Sequence, residues 1–434
     1  MTVRRFARLG QRLGVAALLW TWIAAGAAGV EKLASFRAAL ESISADDLQK
    51  HVDFLADDAR EGREAGTRGG QAAGNYLGAQ LAALHLRGAG SDDEYFQHFA
   101  PNYRNVLALL EGSDPGTKDQ VVVVGAHYDH VGYGRQGSAM GEVGMIHHGA
   151  DDNASGTAGV LELARAFTRL PQPPRRSILF AFFDAEEKRM LGSQHWVAHP
   201  SVPLDRVVLM VNLDMIGRLR NDRLMLFGSN SGYGLRRLVS SHNEPPLWID
   251  FRRTVVPEAD HTAFFARNVP VLVFHTDMHP QYHRPSDVAS LINAAGMRQV
   301  VRLSFGVVYD MANRDEPPRF REASRGETHP PPPVAAPMPP DNGRPLRVGV
   351  TWRVDDAEPG TAILTHVVPG SPADRAGLKA EDRIYQVGGR DFADAELGKL
   401  LKTLPGPIRL TVERNGQLGT VEIQFTATSQ RRAA

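Results

Sequence analysis

The chain has 434 residues, of which 42% are hydrophobic and 23% are charged, so it is long enough for one large domain and one small domain. Basic and acidic residues balance at 49 each, and the zero net charge disfavours a nucleic-acid-binding protein. Cysteine is absent, which excludes disulfides and thiolate metal sites. Any metal ion must therefore be held by His, Asp and Glu side chains.

Residues 1–30 have the layout of a secretory signal peptide. Four arginines precede an apolar run from Val15 to Val30, and Ala25-Gly26-Ala27 offers small residues for cleavage. The run is shorter than the ~20 residues that a spanning helix needs. We therefore expect cleavage and export to the periplasm or beyond, with an uncleaved membrane anchor as the alternative. No later segment is apolar enough to cross a membrane.

Residues 31–314 are predicted to form one α/β domain. The part up to about residue 100 reads as helical, with Ala and Leu at three- and four-residue spacing from Ala72 to Leu86. Beyond Asn105, continuous apolar runs predict strands buried on both faces, at Val106–Leu110, Val121–Val124, Ser177–Phe183, Val207–Leu213 and Val271–Phe274. Helical patterns accompany them at Thr157–Leu170, Gly192–Ala198, Gly234–His242, Thr262–Arg267 and Asn293–Asn313. This alternation predicts a mostly parallel sheet flanked by helices.

A change of composition separates a second domain from the first. Residues 315–345 contain ten prolines, which predicts an extended linker. Residues 346–428 then show short strands and a helix-and-turn pattern from Ser371 to Leu378. We expect a small β-rich domain there.

Polar side chains that can bind metal follow four of the predicted strands. They are His127 and Asp129, then Glu186 and Glu187, then Asp214, then His283 in the loop after the last strand; Asp152 lies at the start of a predicted helix. In an open parallel sheet, ligands bind outside the carboxyl ends of the strands. A single Asp or His in a loop usually has a structural role, such as a helix N-cap. Five such positions at one edge of the sheet indicate a shared site.

The residue types suit a pair of metal ions. A carboxylate can bridge two cations about 3.5–4 Å apart. We expect Asp152 to bridge, with His127 and Asp214 on one ion and Glu187 and His283 on the other. Imidazole and carboxylate ligands favour zinc, with magnesium and manganese as alternatives.

Two acidic residues remain beside this ligand set. Asp129, two residues after His127, is predicted to accept the second imidazole N–H and to orient the ring. Glu186 is predicted to act as the general base for a water molecule activated by the metal ions.

Five motifs in residues 45–313 together resemble the M28 zinc aminopeptidases. They are His127-Tyr128-Asp129-His130, the segment around Asp152, Glu186-Glu187, Asn212-Leu213-Asp214-Met215 and Tyr282-His283-Arg284-Pro285-Ser286-Asp287. The resemblance implies the same ligands and base, and a cis peptide bond after Asp152. Arg189 departs from the pattern because the family usually has glycine there. Asp260-His261 resembles a family segment near the site, and five further histidines are expected in the pocket wall or at the surface: His130, His147, His148, His275 and His279.

Residues 346–426 resemble a bacterial protease-associated PDZ domain. The similar segments are Leu346–Val350 as carboxylate-binding loop, Gly370-Ser371-Pro372-Ala373, Gly377-Leu378 and Asp382-Arg383-Ile384. Glu381 replaces the glycine usual before that Asp. The resemblance implies binding of peptide C-termini by strand addition. A domain that only packs against the enzyme or spaces it is the alternative.

These features predict an exported di-zinc aminopeptidase that hydrolyses N-terminal residues from peptides with a free N-terminus. Other enzymes on the same scaffold remain alternatives, namely a single-zinc glutaminyl cyclase, a carboxypeptidase or a deacylase of amino-acid conjugates. A non-catalytic PDZ peptide-binding protein is the alternative of another class, which the complete ligand set disfavours.

Overall fold

The described part of the chain contains two separate sheets. The computed structural model describes residues 31–134, 139–255, 259–327 and 348–425. A nine-stranded sheet belongs to residues before 328, here called the large domain, and a five-stranded sheet to residues after 347, the small domain. The predicted signal peptide lies outside the described residues. Among the helices within these ranges, none combines the length and apolarity needed to span a membrane.

The large domain alternates helices and strands along the chain. Its helices are α1 (residues 31–41), α2 (Ala45–Leu55), α3 (Arg68–Ala83), α4 (Gly156–Thr168), α5 (Leu191–Ala198), α6 (Leu235–Ser241), α7 (His261–Phe265) and α8 (Ala294–Asn313). Its strands are β1 (Arg87–Gly88), β2 (Phe96–Phe99), β3 (Tyr103–Leu110), β4 (Val121–His127), β5 (Ser177–Phe183), β6 (Val207–Leu213), β7 (Arg223–Phe227), β8 (Trp248–Arg252) and β9 (Val271–His275).

The strand order is β1-β3-β5-β4-β6-β9-β7-β8, with β2 also paired to β3. Strands β5, β4, β6 and β9 are parallel to one another, and β7 is parallel to β8. The pairs β3–β5 and β7–β9 are antiparallel. The predicted α/β sheet flanked by helices is therefore confirmed, and its central strands are the parallel ones.

Helices cover both faces of the sheet. Val122 and Val124 of β4 join a core that includes residues of α2, α3, α4 and α8. Val121 and Val123 point to the other core, where Trp196 of α5 and Phe264 of α7 pack. Because both faces are covered, every residue of β4 and β5 is buried, which explains the continuous apolar runs in the sequence.

The prediction is wrong for several elements near the sheet edges. The stretch read as helical up to residue 100 ends in β1 and β2. Strands β7 and β8 were not predicted, because each alternates buried residues with more exposed ones instead of forming a continuous apolar run.

The small domain is an antiparallel sheet with two short helices. It consists of β10 (Val350–Val354), β11 (Ala362–Val367), α9 (Pro372–Arg375), β12 (Arg383–Val387), α10 (Leu397–Thr403), β13 (Ile408–Arg414) and β14 (Gln417–Ile423). Its strands pair in chain order, so β10 is an edge strand. Its own hydrophobic core includes Val350, Leu364 and Leu397.

The small domain docks against the large domain. The β13–β14 turn reaches the edge strand β8, where the Ile249 N–H donates to the Asn415 carbonyl at 2.9 Å. Residues 315–327, predicted as extended linker, also pack against the large domain, since Arg321 N–H donates to Ser231 O at 2.8 Å. The remainder of the predicted linker lies outside the described residues.

Candidate metal centre

The sheet brings the predicted metal-binding residues to one edge. His127 ends β4, Glu187 lies in the turn after β5, and Asp214 follows β6. His283 lies in the loop after β9, and Asp152 lies in the turn before α4. The central strands are parallel, so their carboxyl ends and these side chains meet at the same edge.

One cluster forms around His127. Its Nε2 lies 3.4 Å from Asp152 Oδ1 and 3.7 Å from Asp214 Oδ1. All three side chains are buried or nearly so. These atoms could bind one metal ion together.

A second cluster forms on the other oxygen of Asp152. His283 Nε2 lies 3.0 Å from Asp152 Oδ2 and 3.2 Å from Glu187 Oε1. His130 lies here as well, with Nδ1 2.9 Å from Glu187 Oε1. The two oxygens of Asp152 therefore face different clusters, and the peptide bond after it is cis.

Asp129 lies beside His127, as predicted, and has a second set of contacts. His127 Nδ1 lies 3.3 Å from the Asp129 backbone carbonyl oxygen and 3.7 Å from the Asp129 carboxylate. The carboxylate also accepts the backbone N–H groups of Glu186 at 3.0 Å and Glu187 at 3.3 Å. Asp129 thus links the β4 loop that carries His127 to the β5 turn that carries both glutamates.

Further buried polar groups hold the Asp152 loop. Asp287 Oδ2 accepts the N–H groups of Asp151 and Asp152 at 2.9 and 3.1 Å. Asp151 Oδ1 in turn accepts the N–H of Gly217 at 2.7 Å. These contacts order the backbone on which the shared carboxylate stands.

Arg63 is a supporting residue that the sequence did not reveal. Its buried guanidinium donates to the carbonyl oxygens of Leu55, Tyr128, His148 and Gly149 at 2.6–3.0 Å. It thereby ties the segment after His127 to the segment before Asp152. A single sequence contains no signal for the burial of one arginine.

The pKa values of Asp152 and Glu186 are shifted in opposite directions by the balance between burial and neighbouring charges. Burial opposes ionisation of Asp152, but contacts with His127 and His283 hold its pKa well below the usual range. Burial raises the pKa of Glu186 well above its usual range, and the positive charge of His127 only partly offsets this. Burial also raises the pKa of Asp260 to about 7. The carboxyl groups of Asp152 and Glu186 are thus electrostatically distinct within one site.

A cavity of about 320 Å³ opens onto both clusters. Besides the site residues it is lined by apolar side chains, including Met215, Met225, Phe227, Val273 and Met278. His261 and His275 also line it. The polar side chains of the two clusters and a set of apolar side chains therefore line the same cavity.

The other histidines lie outside the cavity lining. His147 is buried, with Nδ1 3.0 Å from Met145 O, and His279 is buried with Nε2 3.1 Å from Asp151. His148 faces Asp58 at 2.8 Å. His130 differs from them, because it contacts a predicted ligand directly.

The donor set fits zinc. Both clusters combine imidazole nitrogen with carboxylate oxygen, which are the zinc ligands available without cysteine. A tetrahedral site with bonds of about 2.0–2.1 Å places its ligand atoms roughly 3.3 Å apart. The separations of 3.0–3.7 Å from His127 and His283 to their carboxylates agree with this value.

Comparisons with known proteins agree with these motifs. Residues 105–308 match the model of peptidase family M28, and residues 363–414 match a PDZ domain. The chain is 28% identical over 226 residues to aminopeptidase YwaD of Bacillus subtilis, a match that covers 50% of this chain and 46% of that relative. It therefore spans about half the length of that relative. A probable leucine aminopeptidase of Trichophyton verrucosum is 24% identical over 312 residues, covering 65% of this chain and 78% of the relative.

The fold is also found among solved structures. The LapA aminopeptidase of Legionella pneumophila superposes with a TM-score of 0.54 at 21% identity, covering 65% of this chain and 74% of that chain. The resemblance predicted from the motifs is confirmed for these segments: residues 105–308 belong to a domain of the peptidase family M28 type, and a PDZ domain follows it in the chain.

Proposed function

We propose that the chain is a di-zinc aminopeptidase that removes the N-terminal residue of peptides. The observation that carries this proposal is the position of Asp152, whose Oδ1 lies 3.4 Å from His127 and whose Oδ2 lies 3.0 Å from His283. A carboxylate with one oxygen in each of two ligand clusters is suited to bridge two cations. His127 and Asp214 would hold one ion, and Glu187 and His283 the other.

Glu186 is the proposed proton carrier. Bound zinc ions supply Lewis-acid chemistry, which polarises a carbonyl and lowers the pKa of water. Glu186 accepts a proton from the water that attacks the scissile carbonyl and later donates it to the leaving amine. Asp129 fixes the backbone of Glu186 through the hydrogen bond at 3.0 Å.

The cavity supports a substrate with a free N-terminus and an apolar first side chain. The α-amine, in its neutral form, would take a place beside the clusters, which lie at one side of the cavity. The apolar wall formed by Met215, Met225 and Phe227 would contact the side chain. Leucyl-p-nitroanilide combines both features and is a suitable test substrate.

The Glu186→Gln variant tests this proposal. We expect kcat to fall by about 10²–10⁴-fold because the amide cannot accept the proton, while two zinc ions per chain remain bound. Activity is measured on leucyl-p-nitroanilide and zinc by elemental analysis. Glu316→Gln makes the same change at an exposed position and should leave both unchanged.

Full activity of Glu186→Gln would remove the assigned base. Activity on N-terminally blocked peptides but not on free ones would favour a different hydrolase on the same scaffold.

For the PDZ domain we propose binding of peptide C-termini. Strand β10 is at the edge of its sheet, and Trp352 on it lies beside Gly398 of α10. An extended peptide can add to such an edge. Binding of free-carboxylate peptides but not of their amidated forms, measured by calorimetry, would support it.

Export remains part of the proposal, on the basis of the arginines and the apolar run in residues 1–30. N-terminal sequencing of protein recovered from cell fractions distinguishes cleavage near Ala27 from a retained anchor.

A further inference from the structure

We propose that His130 is a fourth protein ligand of the metal site that contains His283, and that the ion there is the more tightly held of the two. This inference rests on the proposed two-zinc function and deepens it. It concerns a residue that sequence motifs place only in the wall or at the surface.

The first observation behind this inference is the position of the His130 side chain. Its side chain is fully buried, and Nδ1 lies 2.9 Å from Glu187 Oε1 and 3.7 Å from Asp152 Oδ2. Its ring stands edge-on to the ring of His283, with centroids 5.5 Å apart. Two imidazoles thus face the same pair of carboxylate oxygens.

The separations match one coordination shell. Ligand atoms of a tetrahedral zinc site lie roughly 3.3 Å apart, as follows from bond lengths of about 2.0–2.1 Å. From His130 the two carboxylate oxygens are at 2.9 and 3.7 Å, and from His283 they are at 3.0 and 3.2 Å. All four distances lie close to the separation expected between two ligand atoms of one zinc ion.

The surroundings of His130 offer its ring little other polar contact. Its Nε2 is buried and has no hydrogen-bond partner among the residues that the structure describes. Gly149 packs on the ring so closely that a Cβ there would meet His130 Cγ at 2.5 Å. The ring is therefore held with Nδ1 directed at the carboxylates.

The two proposed metal sites then differ in their number of protein ligands. His130, His283, Asp152 and Glu187 would give one ion four protein ligands, the number typical of closed structural zinc sites. The other cluster offers His127, Asp152 and Asp214, the three-ligand arrangement of zinc sites that keep a position open for water or substrate. Zinc on the His283 side would be retained, and zinc on the His127 side would exchange and meet the substrate.

The full-length wild-type protein tests this directly. After complete removal of metal, one equivalent of zinc is added, and the coordination is measured by zinc X-ray absorption. We expect about two imidazoles per zinc, because the four-ligand site fills first. A value of one imidazole would place the ion at His127, or leave His130 as a hydrogen-bond donor to Glu187, and would overturn the inference.

A variant pair gives a second readout. In His130→Gln, release of the tighter zinc to a chelator should accelerate more than tenfold, since even loss of an outer partner costs about 10–100-fold in affinity. His147→Gln changes a neighbouring buried histidine that faces the Met145 carbonyl instead, and should release zinc at the wild-type rate. Equal release rates in the two variants would overturn the inference.

Activity separates this inference from the proposed function. Fully loaded wild type that cleaves leucyl-p-nitroanilide but shows one imidazole on its first zinc overturns the inference alone. Protein that shows two imidazoles on its first zinc and binds a second zinc, yet cleaves no aminoacyl substrate, supports the inference and removes the aminopeptidase assignment.

Discussion

Two charged residues occupy backbone conformations that favour glycine. Arg189 and Glu381 stand where their families usually have glycine, and both have φ of 70°. In this region the Cβ of an L-residue clashes with the backbone, at a cost of about 1–2 kcal/mol. Both turns therefore use a backbone conformation that suits glycine better than the residue present.

We expect Arg189→Gly and Glu381→Gly each to raise the free energy of unfolding by about 0.5–1 kcal/mol. Glycine relieves the backbone strain, and this gain exceeds the free-energy cost of the extra conformational entropy that glycine loses on folding. Urea denaturation measures it. Glu94→Gly, at an exposed residue with φ of −82°, serves as control and should lower stability. A loss of stability in all three variants would mean that the two side chains matter more than the strain.

Arg63 lies away from the predicted metal-binding atoms but holds in place the backbone segments that carry them. Its guanidinium joins the carbonyls of Tyr128 and Gly149, which flank the segments of His127 and Asp152. Lysine keeps the charge but cannot reproduce the fork of donors.

Arg63→Lys should therefore weaken zinc binding by about 10–100-fold, the usual effect of losing an outer partner of metal ligands. Zinc affinity is measured by chelator competition. Arg176→Lys is the matched control, because Arg176 is also fully buried and donates to the Met311 and Asp315 carbonyls. It should lose stability and keep its zinc affinity. The same loss of affinity in both variants would point to general destabilisation instead.

At the scale of elements, helix α6 begins against a carboxylate of the small domain. Glu358 accepts the N–H groups of Arg236 and Arg237 at 2.7 and 3.3 Å. Burial nevertheless raises its pKa to about 7, because desolvation outweighs these hydrogen bonds and the charge of Arg383.

The raised pKa of Glu358 predicts the sign of a pH effect. Its ordinary pKa is 4.5, so between pH 4.5 and about 7 the folded chain binds more protons than the unfolded chain. Its contribution to the free energy of unfolding therefore falls as the pH rises through this window. Glu358→Gln removes the titration, so wild type should lose on the order of 2 kcal/mol more than the variant between pH 5 and 8.

Denaturation by urea at the two pH values measures this difference. Since the other groups titrate alike in both proteins, they cancel in the comparison. Parallel pH profiles would show that Glu358 is ionised throughout, held so by the helix N-terminus.

At the scale of the whole molecule, the PDZ domain is docked against the peptidase domain through a buried ion pair. Glu413 is fully buried and accepts from Arg236 at 2.9 and 3.0 Å. The Asn243 side chain also donates to the Gly416 carbonyl at 2.9 Å. The turn between β13 and β14 thereby covers the edge strand β8, which would otherwise expose unpaired backbone groups.

Glu413→Ala should weaken this docking by about 3–5 kcal/mol, because it leaves the largely buried guanidinium of Arg236 without its carboxylate partner. Calorimetry should then show a separate, earlier transition for the small domain. Glu422→Ala is the control: it removes a carboxylate from the adjacent strand β14, where Glu422 is 40% exposed and 3.8 Å from Arg409. A single unchanged transition in Glu413→Ala would mean that the domains are held by other contacts.

The sequence by itself determined the α/β architecture and the family. Each central strand is buried on both faces, so it appears as a continuous apolar run. The predicted metal ligands His127 and Asp214 directly follow the apolar parts of two of these strands. The succession of apolar runs and polar residues along the chain was therefore enough to predict which side chains lie close together.

Only the tertiary structure decided which groups support that site. The sequence assigns Arg63 no role and shows Asp287 only as the end of a motif, whereas the fold places both beside the Asp152 loop. His130 is directed at Glu187 across 57 positions, and the docking of the PDZ domain depends on Arg236 and Glu413, 177 positions apart. Contacts between distant segments leave no periodicity in a single sequence, because burial and partner depend on how the elements pack.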